Sequence, residues 1–374
     1  MTAQLPKIAY IVAPSGQKGG GMGRVKDYIL QMGGDAQGRV MFSALDTRGD
    51  GSALASLWKL FLALCVIVRA TLAGRIAFVH LNAGDRGSMV RKGVVALVCR
   101  ALHVPTVLHL HAAELLGHYS EANGVLRWLI RQPFQAATCV VVIGMLWRDW
   151  LVRDLGIDAG KIEVVYNGVP VETATQVEGV DPRVHDAVVH LLFLGNLMER
   201  KGVSDLLRAL ALLPSSAPAW QLTLAGGGDL AHYRKMVTEL RLIERVHFAG
   251  WVEQAAARTL LHNHHVLLLP SYDEGLPLVI LEALGSGMAV IATAVGSIPE
   301  VLEDQRNALF VDVGNSRDIA DKIMRLLQDR ALLGALGTDG IRLYRERFTL
   351  SAFGDGLFAV YRKHCGVDIE RQAP

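Results

Sequence analysis

Two glutamates stand eight residues apart in SYDEGLPLVILEAL, Ser271 to Leu284: Glu274 and Glu282, with a glycine, a proline and five large aliphatic residues between them. A carboxylate is costly to bury without a partner, so acids at both ends of so apolar a segment call for hydrogen-bond donors. Pro277 suits the first position of a helix, which predicts a helix opening there. Glu274 then lies in the loop before it, and Glu282 sits five residues in, about 7–8 Å along the axis. Around Gly275, Leu276, Pro277 and Leu278 the amides of the helix start point outwards, a ready anion site. An extended ligand with a diphosphate over those amides would bring one hydroxylated end to each acid. A nucleotide sugar (hexose, diphosphate, ribose) has that shape.

Cations of the right kind occur in FLGNLMERKGVSDLL, where Arg200 and Lys201 stand just before a helix. Adjacent cations in a strand-to-helix turn suit a diphosphate whose charge grows as it leaves. As a plain surface feature they would sit unfavourably beside the positive helix N-terminus. Glycines offer two more anion or sugar contacts. SGQKGGGMGR places Gly19, Gly20, Gly21 and Gly23 ahead of a helix expected near Arg24, either a ligand loop or an ordinary one. LTLAGGGDLAHY fits G-x-G-x-x-A with Gly226, Gly228 and Ala231. A dinucleotide site would need an acid ending the next strand, but VHFAGWVEQ ends in Gly250-Trp251, with Glu253 only after the turn, so a dehydrogenase is set aside.

TVLHLHAAE ends a strand with His109 and His111 on one side of the alternation and Glu114 close behind. A strand-end imidazole can hydrogen-bond a substrate hydroxyl or act as acid or base, His111 at the mouth more so than His109. His262, His264 and His265 lack an acid at metal-site spacing and read as a solvated cluster.

These residues need elements to hold them. KIAYIV, RIAFVHL, TVLHLH, CVVVIG and IEVVYN read as strands in the first half; LLFLG, QLTLAG, RVHFAG, VLLLP, AVIAT and ALFVD do so in the second. Helical-period stretches alternate with them, which indicates an α/β chain with parallel sheets covered on both faces. At 374 residues two domains are expected: 1–170, 171–345, and a helical tail, 346–374, packing back towards the first. The join falls near Asn167-Gly168-Val169-Pro170, ahead of the polar linker VETATQVEGVDPRVHD. Ligands of such sheets bind at the carboxyl ends of the strands.

The chain is 51% hydrophobic and 20% charged, neither disordered nor nucleic-acid-binding in character. Its net charge of +2 hides an asymmetry: residues 1–165 carry 18 Lys and Arg against 11 Asp and Glu, and residues 166–374 carry 20 against 25. The basic first half suits an anionic partner. LWKLFLALCVIVRATLAG has a nine-residue apolar core, Leu60 to Val68, shorter than a bilayer span and better suited to a buried or interfacial helix. Cys65, Cys99, Cys139 and Cys365 show no metal or disulfide spacing, which with no export signal points to a cytoplasmic protein.

EGLPLVILEA, GSGMAVIAT and GSIPEVL together closely resemble the donor-site signature of family 4 glycosyltransferases, retaining nucleotide-sugar enzymes with the GT-B fold of two Rossmann-like domains facing a cleft. VVYNGV, LGNLMERKG, LAGGGDL and VHFAGW are similar in lesser degree. The resemblance implies that Glu274 contacts hydroxyls of the transferred sugar, Glu282 the ribose, Lys201 the diphosphate and His111 the sugar near the reaction centre. It further implies that Gly19, Gly20 and Gly21 border the donor phosphates or the acceptor, and that backbone at Gly250, Trp251 and Val252 holds the base. Asn196 departs from the family's usual arginine, a charge Arg200 could supply; Ser297 and Ala308 replace frequent glycines. With no Asp-x-Asp in the chain, neither metal nor cofactor is expected. The function implied is hexose transfer to a glycan acceptor in polysaccharide or glycoconjugate biosynthesis, with a mannosyltransferase-like resemblance that places GDP-mannose ahead of a UDP-sugar as donor. The basic, apolar first half points to a lipid-linked acceptor and peripheral association with the inner face of the cytoplasmic membrane. A nucleotide-sugar epimerase of the same architecture and a non-enzymatic scaffold are the alternatives.

Overall fold

β-branched and leucine-rich runs separated by amphipathic stretches fold into two six-stranded sheets, every pairing within them parallel. A computed structural model of the chain describes residues 6–14, 20–33, 39–49, 51–85, 87–112, 114–171 and 186–369. The chain divides into a unit of Met1–Asn167 with Leu350–Pro374 and a unit of Gly168–Thr349.

The first unit runs β1 (Lys7–Val12), α1 (Gly20–Gln31), β2 (Val40–Leu45), α2 (Ala53–Leu72), β3 (Ile76–Ala83) and α3 (Gly87–Ala101). It continues through β4 (Thr106–Leu110), α4 (Leu115–Glu121), α5 (Gly124–Ala136), β5 (Cys139–Val142), α6 (Met145–Arg153) and β6 (Ile162–Val164). Strand order is β2-β1-β3-β4-β5-β6, so the chain reverses direction between β1 and β3. On one face Leu60 and Ile67 of α2 and Val95 and Cys99 of α3 pack on Tyr10, Val12, Val79 and Leu81. β2 is absent from the strands expected above. VMFSAL is an edge strand with only Val40 buried, so its burial does not print an apolar run. α1 opens at Gly20 rather than near Arg24. Its glycines form the first turn, their entropic cost of about 1 kcal/mol each offset by burial of Val25, Tyr28 and Ile29.

The second unit contains β7 (Val189–Leu194), α7 (Val203–Ala211), β8 (Trp220–Ala225), α8 (Leu230–Glu239), β9 (Val246–Gly250), α9 (Gln254–Asn263) and β10 (Val266–Leu269). α10 (Leu278–Gly285), β11 (Ala289–Thr293), α11 (Ile298–Val301), β12 (Leu309–Val311), α12 (Ser316–Gln328) and α13 (Arg330–Arg347) follow. Here the order is β12-β11-β10-β7-β8-β9, with the reversal between β7 and β10. His264 and His265 are buried, not solvated. His264 bonds the Leu260 carbonyl and Thr223 Oγ1 at 2.7 and 2.9 Å, and His265 Nδ1 accepts from the His190 amide at 2.9 Å. They enter a central strand, where parallel pairing on both sides leaves no exposed face.

α14 (Leu350–Cys365) belongs to the first unit. Its Tyr361 and Phe358 pack on Phe78 and Phe42, on the sheet face opposite α2 and α3.

Candidate active site

The reversal between β7 and β10 opens a crevice at the carboxyl ends of these strands, where open α/β sheets take their ligands. The turn after β7 carries Glu199, Arg200 and Lys201 in one 3-10 turn, and the loop after β10 carries Ser271 to Pro277. Lys201 Nζ lies 2.5 Å from Glu274 Oε1, and Ser271 Oγ donates to the same oxygen at 2.7 Å. Glu274 is buried, so the positive charge and the hydroxyl offset the cost of taking a carboxylate from water. Both bonds fall on Oε1, and among the described residues Oε2 takes no such bond, which leaves it to accept from a ligand. Thr293 Oγ1 in turn fixes the Ser271 carbonyl.

Arg200, the other cation of this turn, is tied to the loop after β10. Its Nη1 donates to the Asp273 carbonyl at 2.8 Å, while the Tyr272 amide donates to the Arg200 carbonyl at 2.8 Å. Arg200 therefore ties the two loops together and holds Glu274 at its height. Asn196 is exposed at the start of this turn.

α10 opens at Leu278, and Pro277 is its N-cap, with ψ of 126° still extended, so the helix starts one residue later than expected. No side chain caps this terminus. Its first amides remain suited to an anion beside Gly275 and Leu276. Every residue from Leu278 to Gly285 is buried, Glu282 included.

Two glycines unmarked in the sequence analysis set the loop spacing. Gly202 has φ of +68°, and a Cβ there would stand 2.0 Å from the Pro270 carbonyl oxygen. Gly296, at φ +57°, would place a Cβ 1.8 Å from the Glu274 carbonyl oxygen. Close approach of neighbouring loops is what requires glycine at these positions. Gly226 and Gly228 answer to the same need, each backed against the turn at Gly195 or Leu197. Gly250 faces open space, with Trp251 exposed and Val252 half-buried beyond it. The signal for Gly202 and Gly296 was available only as glycines after charged or apolar turns, which many loops contain.

Residues 185–342 match the family model described as Glycosyl transferases group 1, and residues 55–173 match Glycosyltransferase Family 4. The chain belongs to glycosyltransferase family 4. This family 4 enzyme is 30% identical over 257 residues to N-acetyl-alpha-D-glucosaminyl L-malate synthase of Bacillus anthracis, covering 67% of this chain and 65% of that protein. Its fold is GT-B. Anabaena HepE, solved with UDP and glucose, superposes with a TM-score of 0.73 at 18% identity, over 96% of this chain and all of that one. Sucrose-phosphate synthase from Thermosynechococcus elongatus gives 0.75 at 21% identity over 96% and 98%. The two family models and the Bacillus anthracis relative favour transfer over epimerisation, and a transferase over a scaffold.

In the glycosyltransferase's first unit, His111 follows β4; its amide donates to the Ala83 carbonyl and its Nε2 lies 2.9 Å from Asn82 Oδ1. Behind it lies a buried row. The His109 ring is 4.0 Å from that of His111, His80 is next, and the Tyr361 hydroxyl of α14 is 2.9 Å from His80 Nδ1. Neither ring nitrogen of His109 finds a hydrogen-bond partner among the described residues. Burial pushes His80 and His111 down to about 3 and lowers His109 as well, so all three rings are neutral at pH 7. His111 thus offers hydrogen bonds, not a positive charge. Gly20 and Gly21 start α1, which has no acid in its first turn, while Gly19 lies outside the described residues.

The buried imidazoles predict acid sensitivity. Below pH 6.5 unfolded histidines bind protons that the native rings refuse, so stability falls as pH drops from 6.5 towards 3. His80 alone contributes a slope of about 1.4 kcal/mol per pH unit in that window. Urea titrations at pH 7 and pH 5 should show a lower midpoint at pH 5; equal midpoints would contradict the neutral-histidine assignment.

Proposed function

We propose that this enzyme transfers a hexose from a nucleotide sugar to a glycan acceptor with retention at the anomeric carbon. The observation that carries this reading is the Lys201–Glu274 pair at the strand reversal, directly ahead of the helix bearing buried Glu282. Glu274 Oε2 would accept from hydroxyls of the hexose. The Lys201 ammonium and the amides at the start of α10 would neutralise the diphosphate as its bond to C1 breaks. Glu282 would accept from the ribose, and backbone at Gly250 to Val252 would meet the base. Arg200 would act through Asp273 by positioning Glu274. For His111 the family resemblance supports a hydrogen bond to the transferred sugar, made by a neutral imidazole.

Retention is assigned through a front-face route. The C1–phosphate bond breaks, the acceptor oxygen bonds C1 from the same side, and the departing phosphate takes the acceptor's proton. That route asks the protein for no strong base. It also asks for no metal, so EDTA should leave turnover intact. The acceptor is taken to be lipid-linked, on the cytoplasmic side of the membrane. HepE's complexes with UDP and UDP-glucose support putting UDP-sugars first in a donor screen, ahead of GDP-mannose.

The test is a thermal-shift screen of nucleotide sugars, since a donor at 100 times its dissociation constant stabilises by about 2.7 kcal/mol. One sugar nucleotide should raise the melting temperature, and Glu282→Ala should shrink that shift. A screen in which no nucleotide or nucleotide sugar shifts melting would overturn the reading. Product analysis with donor alone and with acceptor then separates transfer from epimerisation.

A further inference from the structure

α2, α3 and α5 lie side by side on one face of the first unit's sheet, and their outward surface is unusual in two independent respects. First, it is apolar. α2 buries Leu60, Ala63, Ile67 and Ala70 on one stripe and exposes Leu54, Leu57, Trp58, Phe61, Leu62 and Val66 on the other. The Trp58 and Phe61 rings stack at 5.4 Å. α3 exposes Val90, Val94 and Leu97 at helical spacing, and α5 exposes Val125, Leu126, Trp128 and Leu129. Between α3 and α5 the surface is notched by a groove of about 780 Å³, lined by Val94, Leu97, Leu126 and Trp128 among others. Clustered exposure of this kind marks an interaction surface, whereas single exposed apolar residues do not.

Second, its charge is predominantly positive. None of the three helices contains an Asp or Glu, while they carry Lys59, Arg69, Arg91, Arg100, Arg127 and Arg131, besides buried Lys92. The exposed Glu121, at the end of α4, is the acid on the groove's rim. A protein partner or a second copy of this chain would have to match an apolar surface edged by six cations against one acid, Glu121. An anionic lipid monolayer does so without specific complementarity: acyl chains for the apolar stripe, headgroup phosphates for the cations.

We propose that the α2–α3–α5 face seats the enzyme on an anionic lipid monolayer, with α2 lying in the interface plane and a lipid chain entering the α3–α5 groove. α2 is long and apolar enough to cross a bilayer by length and composition. Its buried stripe, however, ties it to the sheet, which leaves the opposite stripe to enter lipid. The proposal deepens the lipid-linked acceptor reading above by naming the surface that would bring the enzyme to that lipid. Its test uses neither donor nor acceptor, so its failure is separable from failure of the transferase reading.

The full chain is sedimented with vesicles of phosphatidylcholine alone and of phosphatidylcholine with phosphatidylglycerol in equal parts. Binding is expected to the anionic vesicles, weakened by salt, with little to the zwitterionic ones. Lys59→Gln with Arg69→Gln, both exposed on α2, should weaken partition about thirtyfold, at the usual contribution of a cation near an anionic surface. Trp58→Glu with Phe61→Glu should abolish it; both sites are exposed, and an unchanged melting temperature would show the fold intact. Equal binding to both vesicles, no binding to either, or binding retained by the glutamate variant would overturn the proposal. So would a solution dimer dissolved by that variant, or resistance to alkaline carbonate extraction, which would mark α2 as a span.

Discussion

Lys201→Ala is expected to lower kcat by about 10²–10³, the range for loss of one preorganised group that stabilises developing negative charge. It should also destabilise the second unit. Glu274 keeps the Ser271 hydroxyl but loses the ammonium, and a buried carboxylate deprived of its ion-pair partner costs about 3–5 kcal/mol. The lower end applies, because the Lys201 side chain retains 17% exposure and Glu274 7%. Lys201→Met combined with Glu274→Gln separates the two effects. With no charge left to compensate, stability should recover most of the loss, while turnover stays low because neither the diphosphate charge nor the carboxylate acceptor returns. Circular dichroism melts and steady-state kinetics of the three proteins check this. If Lys201→Ala turned over normally, the diphosphate assignment would fail whatever the melts showed.

Gly296→Ala is expected to damage activity at a position with no functional group of its own. The added Cβ would meet the Glu274 carbonyl oxygen at 1.8 Å and that of Gly275 at 2.9 Å, both main-chain atoms that no rotamer change can move. The loop bearing Glu274 must shift by an ångström or more, a misplacement that costs about 10²-fold in rate. The left-handed φ of +57° adds about 1–2 kcal/mol of strain for any non-glycine residue. Gly250→Ala is the stability control. Its φ is +68° but no atom lies within 4 Å of the new Cβ, so strain alone should appear in its melt. Equal melting temperatures for the two variants would show that the loop yields freely, and would remove the clamp role from Gly296.

Much of the architecture was legible because its signals are local. Apolar runs such as VLLL and AVIAT match β10 and β11, and α10 starts one residue after the Pro277 expected to open it. Edge strand β2 escaped because only one of its six residues is buried. The buried pair His264 and His265 escaped because a histidine's burial depends on which strands flank it.

By itself the sequence determined which chemistry is available: two acids bracketing a helix start, a cation pair after another strand, and histidines ending a third. Tertiary structure alone decided how they are used. Lys201 and Glu274 are 73 residues apart and meet because strand order reverses between β7 and β10. The same approach of the two loops lets Arg200 brace the Asp273 carbonyl. Tyr361 reaches His80 across 281 residues, because the last helix returns to the first unit. Gly202 and Gly296 matter because of carbonyl oxygens that belong to other loops. The reason is common to all four. Periodicity and turn chemistry act over a few residues, whereas contact between loop ends is set by sheet order, which neither segment encodes alone.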